Sequence, residues 1–140
     1  SGADPGSSGT PPSTDADAPV VLEVGKPFSG TLPGDAQVLH FFAFTAPTAG
    51  KYQVTLDGPK SLHVNWCDES KSTGCLCVVE RSGFTTCCTV MTGADECSYV
   101  AEDTGRTPFA AGKTIYPHVA WGTQSPAGPA SYTLTITGPL

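Results

Sequence analysis

The crowding of six cysteines into one short segment is the feature that most constrains this chain. All of the cysteines lie between positions 67 and 97, and the sequence on either side contains none: Cys67, Cys75, Cys77, Cys87, Cys88 and Cys97. An even number of closely spaced cysteines is typical of disulfides formed in an oxidising compartment. We therefore predict three intramolecular disulfides that staple residues 67–97 into one insertion of an exported protein.

The spacing of the cysteines suggests a connectivity with one alternative left open. Cys67 and Cys75 bracket a short polar loop and would pair with each other. The sequence ERSGF predicts a hairpin turn that sets Cys77 opposite the adjacent residues 87–88. Because neighbouring residues of a strand point to opposite faces, only one of those two can face Cys77. Cys97 would take the other. The alternative to three disulfides is a zinc site or a free thiol. The spacings C-x-C and C-C match those of zinc-binding cysteines poorly.

Charge and hydropathy exclude several classes of partner. The chain of 140 residues has a formal net charge of −6, and its few basic residues are scattered. A nucleic-acid backbone requires a clustered basic surface, so nucleic acid and anionic membranes are not expected as partners. No run of apolar residues is long enough to predict a transmembrane segment. The length predicts a single domain, which we expect to be monomeric.

Residues 1–18 differ in composition from the rest of the chain. They are rich in Gly, Ser, Pro and Asp and contain no large apolar residue. Such a segment cannot bury enough surface to offset its conformational entropy, so we predict a flexible tether with few contacts. Tethers of this type often follow the lipid-anchored cysteine of exported bacterial lipoproteins, and an interdomain linker is the alternative. We expect a targeting segment to have been removed upstream of Ser1.

Residues 19–140 alternate between apolar and polar side chains in short runs separated by turns. The strongest run, 37–45, is apolar on both faces, which predicts a central strand. Pro117 interrupts the run 113–121 and predicts an edge strand or a bulge. Short strands at this spacing predict an all-β fold, namely an antiparallel, jelly-roll-like β-sandwich of about eight strands.

The same segments resemble a known family. The stretches VLEVGKPFSGTLPGDAQVLHFFAFTAPTAGKYQVTL, SLHV, FAAGKTIYPHVAW and SYTLTITG, within 20–66 and 109–138, are similar to the bacterial pre-peptidase C-terminal domain. The resemblance implies a jelly-roll-like sandwich appended to secreted peptidases and other exported proteins. Related collagen-binding modules bind matrix and calcium. This chain departs from the family by having Ser61 to Val64, SLHV, in place of Asp-Leu-Tyr-Leu, and by its cysteine-rich insertion. No ligand-binding residue of the family therefore carries over.

No group of residues predicts a catalytic site or a cofactor. The sequence lacks a G-x-S-x-G elbow, and each cysteine has an expected disulfide partner. The histidines fall within strand patterns, and His40 is expected to be a hydrogen-bonded core or edge residue. Adjacent acidic residues lie in predicted loops, where solvated carboxylates are the first expectation and a calcium site is the alternative: Asp68-Glu69, Asp95-Glu96 and Glu102-Asp103.

Three aromatic residues are candidates for ligand binding. Trp66, Tyr116 and Trp121 could form a platform for a sugar or an extended peptide, because aromatic faces bury area at low entropic cost. Packing in the core is the alternative, above all for Trp66 beside Cys67.

The sequence thus predicts a non-catalytic module, exported to the cell surface or beyond it, that binds a protein or polysaccharide partner. A small disulfide-rich enzyme and a structural spacer of a larger exported protein are the alternatives. We expect the insertion 67–97 to determine specificity on a sandwich that is complete without it. The competing interpretation is that the insertion covers the edge of a sheet.

Overall fold

The computed structural model describes residues 11–59, 62–67, 75–80, 89–90, 96–101, 108–122 and 124–140. For the strands between 65 and 101 only the course of the backbone is described. The described residues form ten strands: β1 Val20–Leu22, β2 Phe28–Leu32, β3 His40–Thr45, β4 Tyr52–Asp57, β5 Leu62–Cys67, β6 Cys75–Glu80, β7 Thr89–Val90, β8 Glu96–Ala101, β9 Thr114–Trp121 and β10 Ala130–Thr137.

The strands form two five-stranded sheets that face each other. The first sheet has the order β1-β3-β9-β5-β6, and the second has the order β2-β10-β4-β8-β7. The predicted all-β sandwich is confirmed. One pair departs from the antiparallel prediction, because β1 runs parallel to β3 in the register Val20 to Phe42. Within the described ranges there is no helix long and apolar enough to cross a membrane.

The core forms where the alternating apolar residues of the two sheets meet. β4 and β10 bury every second residue, as the sequence pattern predicts. Aromatic pairs join the sheets, with the rings of Phe28 and Phe42 centred 5.1 Å apart and those of Phe44 and Tyr52 5.2 Å apart, both edge to face. Eight core residues have no exposed surface: Leu32, Phe42, Tyr52, Val54, Leu56, Val64, Val119 and Leu134.

Proline 117 does not mark an edge strand. β9 is the middle strand of the first sheet, with β3 on one side and β5 on the other, so the edge prediction is wrong. The ladder between β3 and β9 joins Phe44 to Ile115 and Phe41 to His118, and it is interrupted between those pairs. Pro117 lies in the interruption. Proline has no backbone N–H, and at this point the ladder between β3 and β9 does not need one. β3 has neighbours on both sides, as predicted for a central strand.

The cysteine-rich segment supplies strands to both sheets. β6 extends the first sheet beyond β5, while β8 pairs with β4 along its whole length and β7 pairs with β8. Residues 67–97 therefore add strands to both sheets, which agrees with the interpretation that the segment covers sheet edges. That the sandwich is complete without the segment stays a prediction. The polar tips 68–74 and 92–96, on which the specificity prediction rests, lie almost wholly outside the described residues.

Part of the predicted tether is in contact with the sandwich. The backbone N–H of Phe41 donates to the carbonyl of Ser13 at 2.8 Å, and the ring of Pro12 lies against Gly30. The expectation of few contacts therefore fails for this part of 11–18, because a backbone N–H near the start of β3 finds a partner there. Residues 1–10 lie outside the described range, and the boundary at residue 18 stays a prediction.

The register of β5 and β6 makes one disulfide testable. Cys67 lies directly opposite Cys75, and the Cα atoms of such pairs are about 4.5–5.5 Å apart, within the range that a disulfide spans. We expect a Cys67–Cys75 disulfide in the oxidised protein. Trypsin would cut after Lys71 and Arg81, and a chymotryptic cut after Leu76 would separate Cys75 from Cys77. Mass spectrometry without reduction should find the linked peptides, and a Cys67–Cys77 link would contradict the assignment.

Candidate functional site

The outer face of the second sheet carries short polar side chains on its three well-described strands. The alternation that buries Phe28, Leu56 and Leu134 forces the intervening residues outward. These outward positions form what we call the hydroxyl face: Ser29, Thr31, Gln53, Thr55, Asp57, Ser131, Thr133, Thr135 and Thr137. None of them is a lysine, an arginine, a glutamate or an aromatic residue, although long charged side chains are common on exposed sheet faces.

Hydrogen bonds between hydroxyl groups run across β2 and β10. Ser29 lies opposite Thr133, and their side-chain oxygens are 3.1 Å apart. Thr31 lies opposite Ser131 with a separation of 3.4 Å. A hydroxyl donates one hydrogen bond and accepts two, so each of these groups keeps capacity for a further partner.

A cavity of about 330 Å³ opens at the end of this face. It is lined by the two hydroxyl pairs, by residues beneath them, and by the end of β4: Ser29, Gly30, Thr31, Asp57, Gly58, Ser131, Tyr132 and Thr133. Asp57 is opposite Thr133 in register and is exposed. Among the described lining residues it contributes the only charged group, and that group can only accept hydrogen bonds when ionised.

Two glycines let the chain pass close to β10 at this cavity. A Cβ on Gly58 would lie 3.1 Å from the carbonyl oxygen of Ser131. A Cβ on Gly30 would lie 2.8 Å from the hydroxyl oxygen of Tyr132, because the tyrosine ring covers the glycine across the strand pair. Gly30 therefore leaves room for the ring of Tyr132 on the inner side of this strand pair.

Tyr132 is held by a hydrogen bond between the two sheets. Its hydroxyl oxygen is 2.7 Å from Nδ1 of His40, and both side chains are buried. Burial raises the pKa of Tyr132 and lowers the pKa of His40, so both groups are neutral near pH 7. The prediction that His40 is a hydrogen-bonded core residue is confirmed, since it is only 3% exposed.

The other two histidines lie on the first sheet, away from the cavity lining. His118 is buried, with its ring centred 5.9 Å from that of Phe41. Burial, and secondarily the charge of His63, lowers the pKa of His118 to about 4. The described part of the cavity lining contains no histidine, so its serine hydroxyls have neighbouring hydroxyls rather than an imidazole base.

The three aromatic candidates do not form one platform. Trp121 is in the core, 8% exposed, and its indole N–H donates to the carbonyl of Pro33 at 2.7 Å. Tyr116 is half-buried and lies an odd number of positions from Trp121, so the two side chains point to opposite faces of β9. Trp66 lies opposite Pro117 in register, so its position is on the inner face of the first sheet. The side chain of Trp66 is not among those that the structure describes.

The remaining predicted sites fall largely outside the described residues. Side chains of the six cysteines are not described, and neither is any complete pair of the adjacent loop acids. Among the described residues, no group of three or more histidine, cysteine or acidic side chains could hold a metal ion. Calcium binding stays an untested alternative.

Sequence reasoning missed the hydroxyl face as a site. The alternation in SYTLTIT predicts outward threonines on β10, and this is confirmed. The sequence signal was available in the outward residues of β2, β4 and β10, which are all polar and, except for Gln53, short. The sequence does not show the strand order. That order places β2, β10 and β4 side by side, although β10 is far from the other two strands in the chain.

No family model matches the sequence, and no curated protein matches it at a significant level. Solved structures do share the fold. The pre-peptidase C-terminal domain of a collagenase from Bacillus anthracis has a TM-score of 0.59 and 11% identity, over 86% of this chain and 95% of that chain. The fold predicted from the resemblance to that family is thereby confirmed.

Two further structures are more distant. PliG from Salmonella Typhimurium, a periplasmic inhibitor of g-type lysozyme, has a TM-score of 0.45 and 14% identity, over 84% of this chain and 97% of that chain. CsCBM6-3 from Clostridium stercorarium, solved in complex with cellobiose, has a TM-score of 0.41 and 9% identity, over 76% of this chain and 72% of that chain.

The contact between Gly30 and Tyr132 predicts a stability effect. In Gly30→Ala the new methyl group would push the tyrosine ring away from His40. We expect the free energy of unfolding, measured by urea denaturation, to fall by about 1–3 kcal/mol. The exposed neighbour provides a control, because Ser29→Ala should change it by no more than about 0.5 kcal/mol. Equal stability of both variants and wild type would show that the ring has room to move.

The depressed pKa of His118 predicts a pH-dependent stability. The unfolded chain takes up this proton near pH 6.5 and the folded chain only near pH 4, so protonation favours unfolding in that window. Stability is therefore full above about pH 6.5 and falls as the pH is lowered. We expect about 2 kcal/mol of unfolding free energy to be lost from this group between pH 7 and pH 5. His118→Asn should remove that part of the dependence, and an unchanged slope would contradict the assignment.

Proposed function

We propose that the chain is a non-catalytic module of an exported protein that binds a protein or polysaccharide partner outside the cell or at its surface. One observation carries the proposal. The described surface has a cavity of about 330 Å³ whose lining offers hydroxyls and one carboxylate. Such groups can bind a ligand through hydrogen bonds, and the described lining places no imidazole base beside a hydroxyl.

The fold and the cysteines support the exported location. The chain shares its fold with a domain of a bacterial collagenase, at 11% identity. Six cysteines in one segment are typical of proteins that mature in an oxidising compartment. On this proposal the disulfides hold β6, β7 and β8 at the margins of the two sheets. The module requires no cofactor. The segment before the sandwich connects it to a lipid anchor or to another domain.

A binding screen with defined probes tests the function. The purified, oxidised chain would be incubated with insoluble polysaccharides (cellulose and chitin) and with immobilised proteins (gelatin and fibronectin). We expect saturable binding to at least one probe, with a dissociation constant of about 1 mM or below, which corresponds to about −4 kcal/mol or a more negative free energy. The probe should be recovered chemically unchanged.

Two outcomes would contradict the proposal. Release of soluble fragments from a probe, lost in a heat-denatured control, would indicate the enzymatic alternative. Absence of saturable binding to every probe, with the chain shown to be folded by circular dichroism, would favour the structural spacer.

A further inference from the structure

We infer that the hydroxyl face binds a neutral polysaccharide, with a sugar ring in the cavity between β2, β10 and Asp57. The inference rests on the proposed binding function and names the chemical class of its ligand. The groups expected to contact the sugar are the two hydroxyl pairs and the carboxylate of Asp57.

The hydrogen-bonding groups of the face match those of a sugar. Each serine or threonine hydroxyl can both donate and accept, while the carboxylate of Asp57 accepts only. A partner must therefore present both donors and acceptors at close intervals, and at least one donor must reach Asp57. Sugar hydroxyls meet these requirements, because every one of them donates and accepts.

The charge of the face favours a neutral ligand. Among the described residues of the cavity lining, Asp57 is the only acidic or basic one, and the outward positions of β2, β4 and β10 carry no lysine or arginine. An anionic polymer would meet this carboxylate, and the chain as a whole carries a net charge of −6. A strongly cationic partner would gain little from Asp57, because an ion pair at an exposed surface is weak.

The composition of the face disfavours a protein partner. The energy of protein interfaces is concentrated in buried aromatic and arginine side chains, whereas serine and threonine contribute little. The outward positions of β2, β4 and β10 contain no such anchor. A polysaccharide does not need one in the same way, because it is itself covered with hydroxyls and can form many weak bonds along its length.

The face is also preorganised. Threonine is branched at Cβ and has few χ1 rotamers. The side-chain oxygens of Thr133 and Ser29, on neighbouring strands, are held 3.1 Å apart. Short side chains lose less conformational entropy on binding than the lysines and glutamates of ordinary surfaces. Adjacent strands are about 4.8 Å apart and alternate residues about 6.8 Å, so the hydroxyls form a regular two-dimensional array.

The volume of the cavity sets the size of the bound unit. About 330 Å³ lies at the lower end of the range for small-molecule sites. A cavity of this size can hold one sugar unit of a longer polysaccharide. The neighbouring units would then continue over the outward threonines of β10. Because the contacts are hydrogen bonds exchanged with water, the affinity for a short oligosaccharide should be weak, and a polymer should bind better through repeated contacts.

Affinity electrophoresis and NMR provide the test. The folded, oxidised chain would be run through native gels containing soluble neutral polysaccharides (hydroxyethyl cellulose, xylan, laminarin and dextran), and titrated with matching oligosaccharides while amide shifts are recorded. We expect retardation by at least one polymer. The shifted amides should lie in β2, β10 and the end of β4, around residues 29–31, 57–58 and 131–133.

Matched variants locate the site. Thr133→Val removes one hydroxyl of the face while keeping the shape and branching of the side chain, and it should weaken binding by about fivefold or more. Thr114→Val is the control, because Thr114 forms a similar hydroxyl pair with Thr45, at 2.7 Å, on the first sheet. It should bind as wild type does. Ser131→Ala provides a second loss variant should Thr133→Val fold poorly.

Several results would overturn the inference, and they separate it from the proposed function. Equal losses in Thr133→Val and Thr114→Val, or shifts confined to the first sheet, would place the ligand elsewhere. Binding of gelatin or fibronectin, with no retardation by any neutral polysaccharide, would refute the polysaccharide while leaving a binding module. Absence of binding to every probe of either kind would refute both.

Discussion

Alternation of apolar and short polar residues along β2, β4 and β10 is the constraint on which the rest of the structure depends. Because side chains of a strand point alternately to its two faces, burying one set in the core necessarily exposes the other. Leu134 has no exposed surface, and the threonines on either side of it point outward. The same pattern therefore produces both the core that stabilises the sandwich and the face that we assign to ligand binding.

The hydrogen bond between Tyr132 and His40 links the core to that face. It joins a strand of the second sheet to a strand of the first, and it fixes the ring that covers Gly30 at the cavity. Two buried polar groups satisfy each other, which avoids the cost of leaving either without a partner. The pair thus holds the inner side of the two strands whose outer side carries the hydroxyl pairs.

The pairing of the cysteine-rich segment changes how its disulfides are understood. A stapled loop displayed on a finished sandwich would act mainly as a recognition element. In the structure this segment instead provides β6 to one sheet and β7 and β8 to the other, so it protects sheet edges. Disulfides in it would then stabilise strand pairs at the margins of the fold, where fewer neighbours contribute packing.

The sequence by itself determined the strands outside the cysteine-rich segment, their inner and outer residues, and the family of folds. These follow from local alternation and turn residues, and the runs around His40, Tyr52 and Leu134 display both clearly. Tertiary structure decided which strands became neighbours, and local patterns contain no information about that choice. It placed Pro117 in the middle of a sheet, buried Trp121 against Pro33, and brought Asp57 beside residues more than seventy positions away. The candidate site could not be found from the sequence because its parts become close only when the sheets have formed.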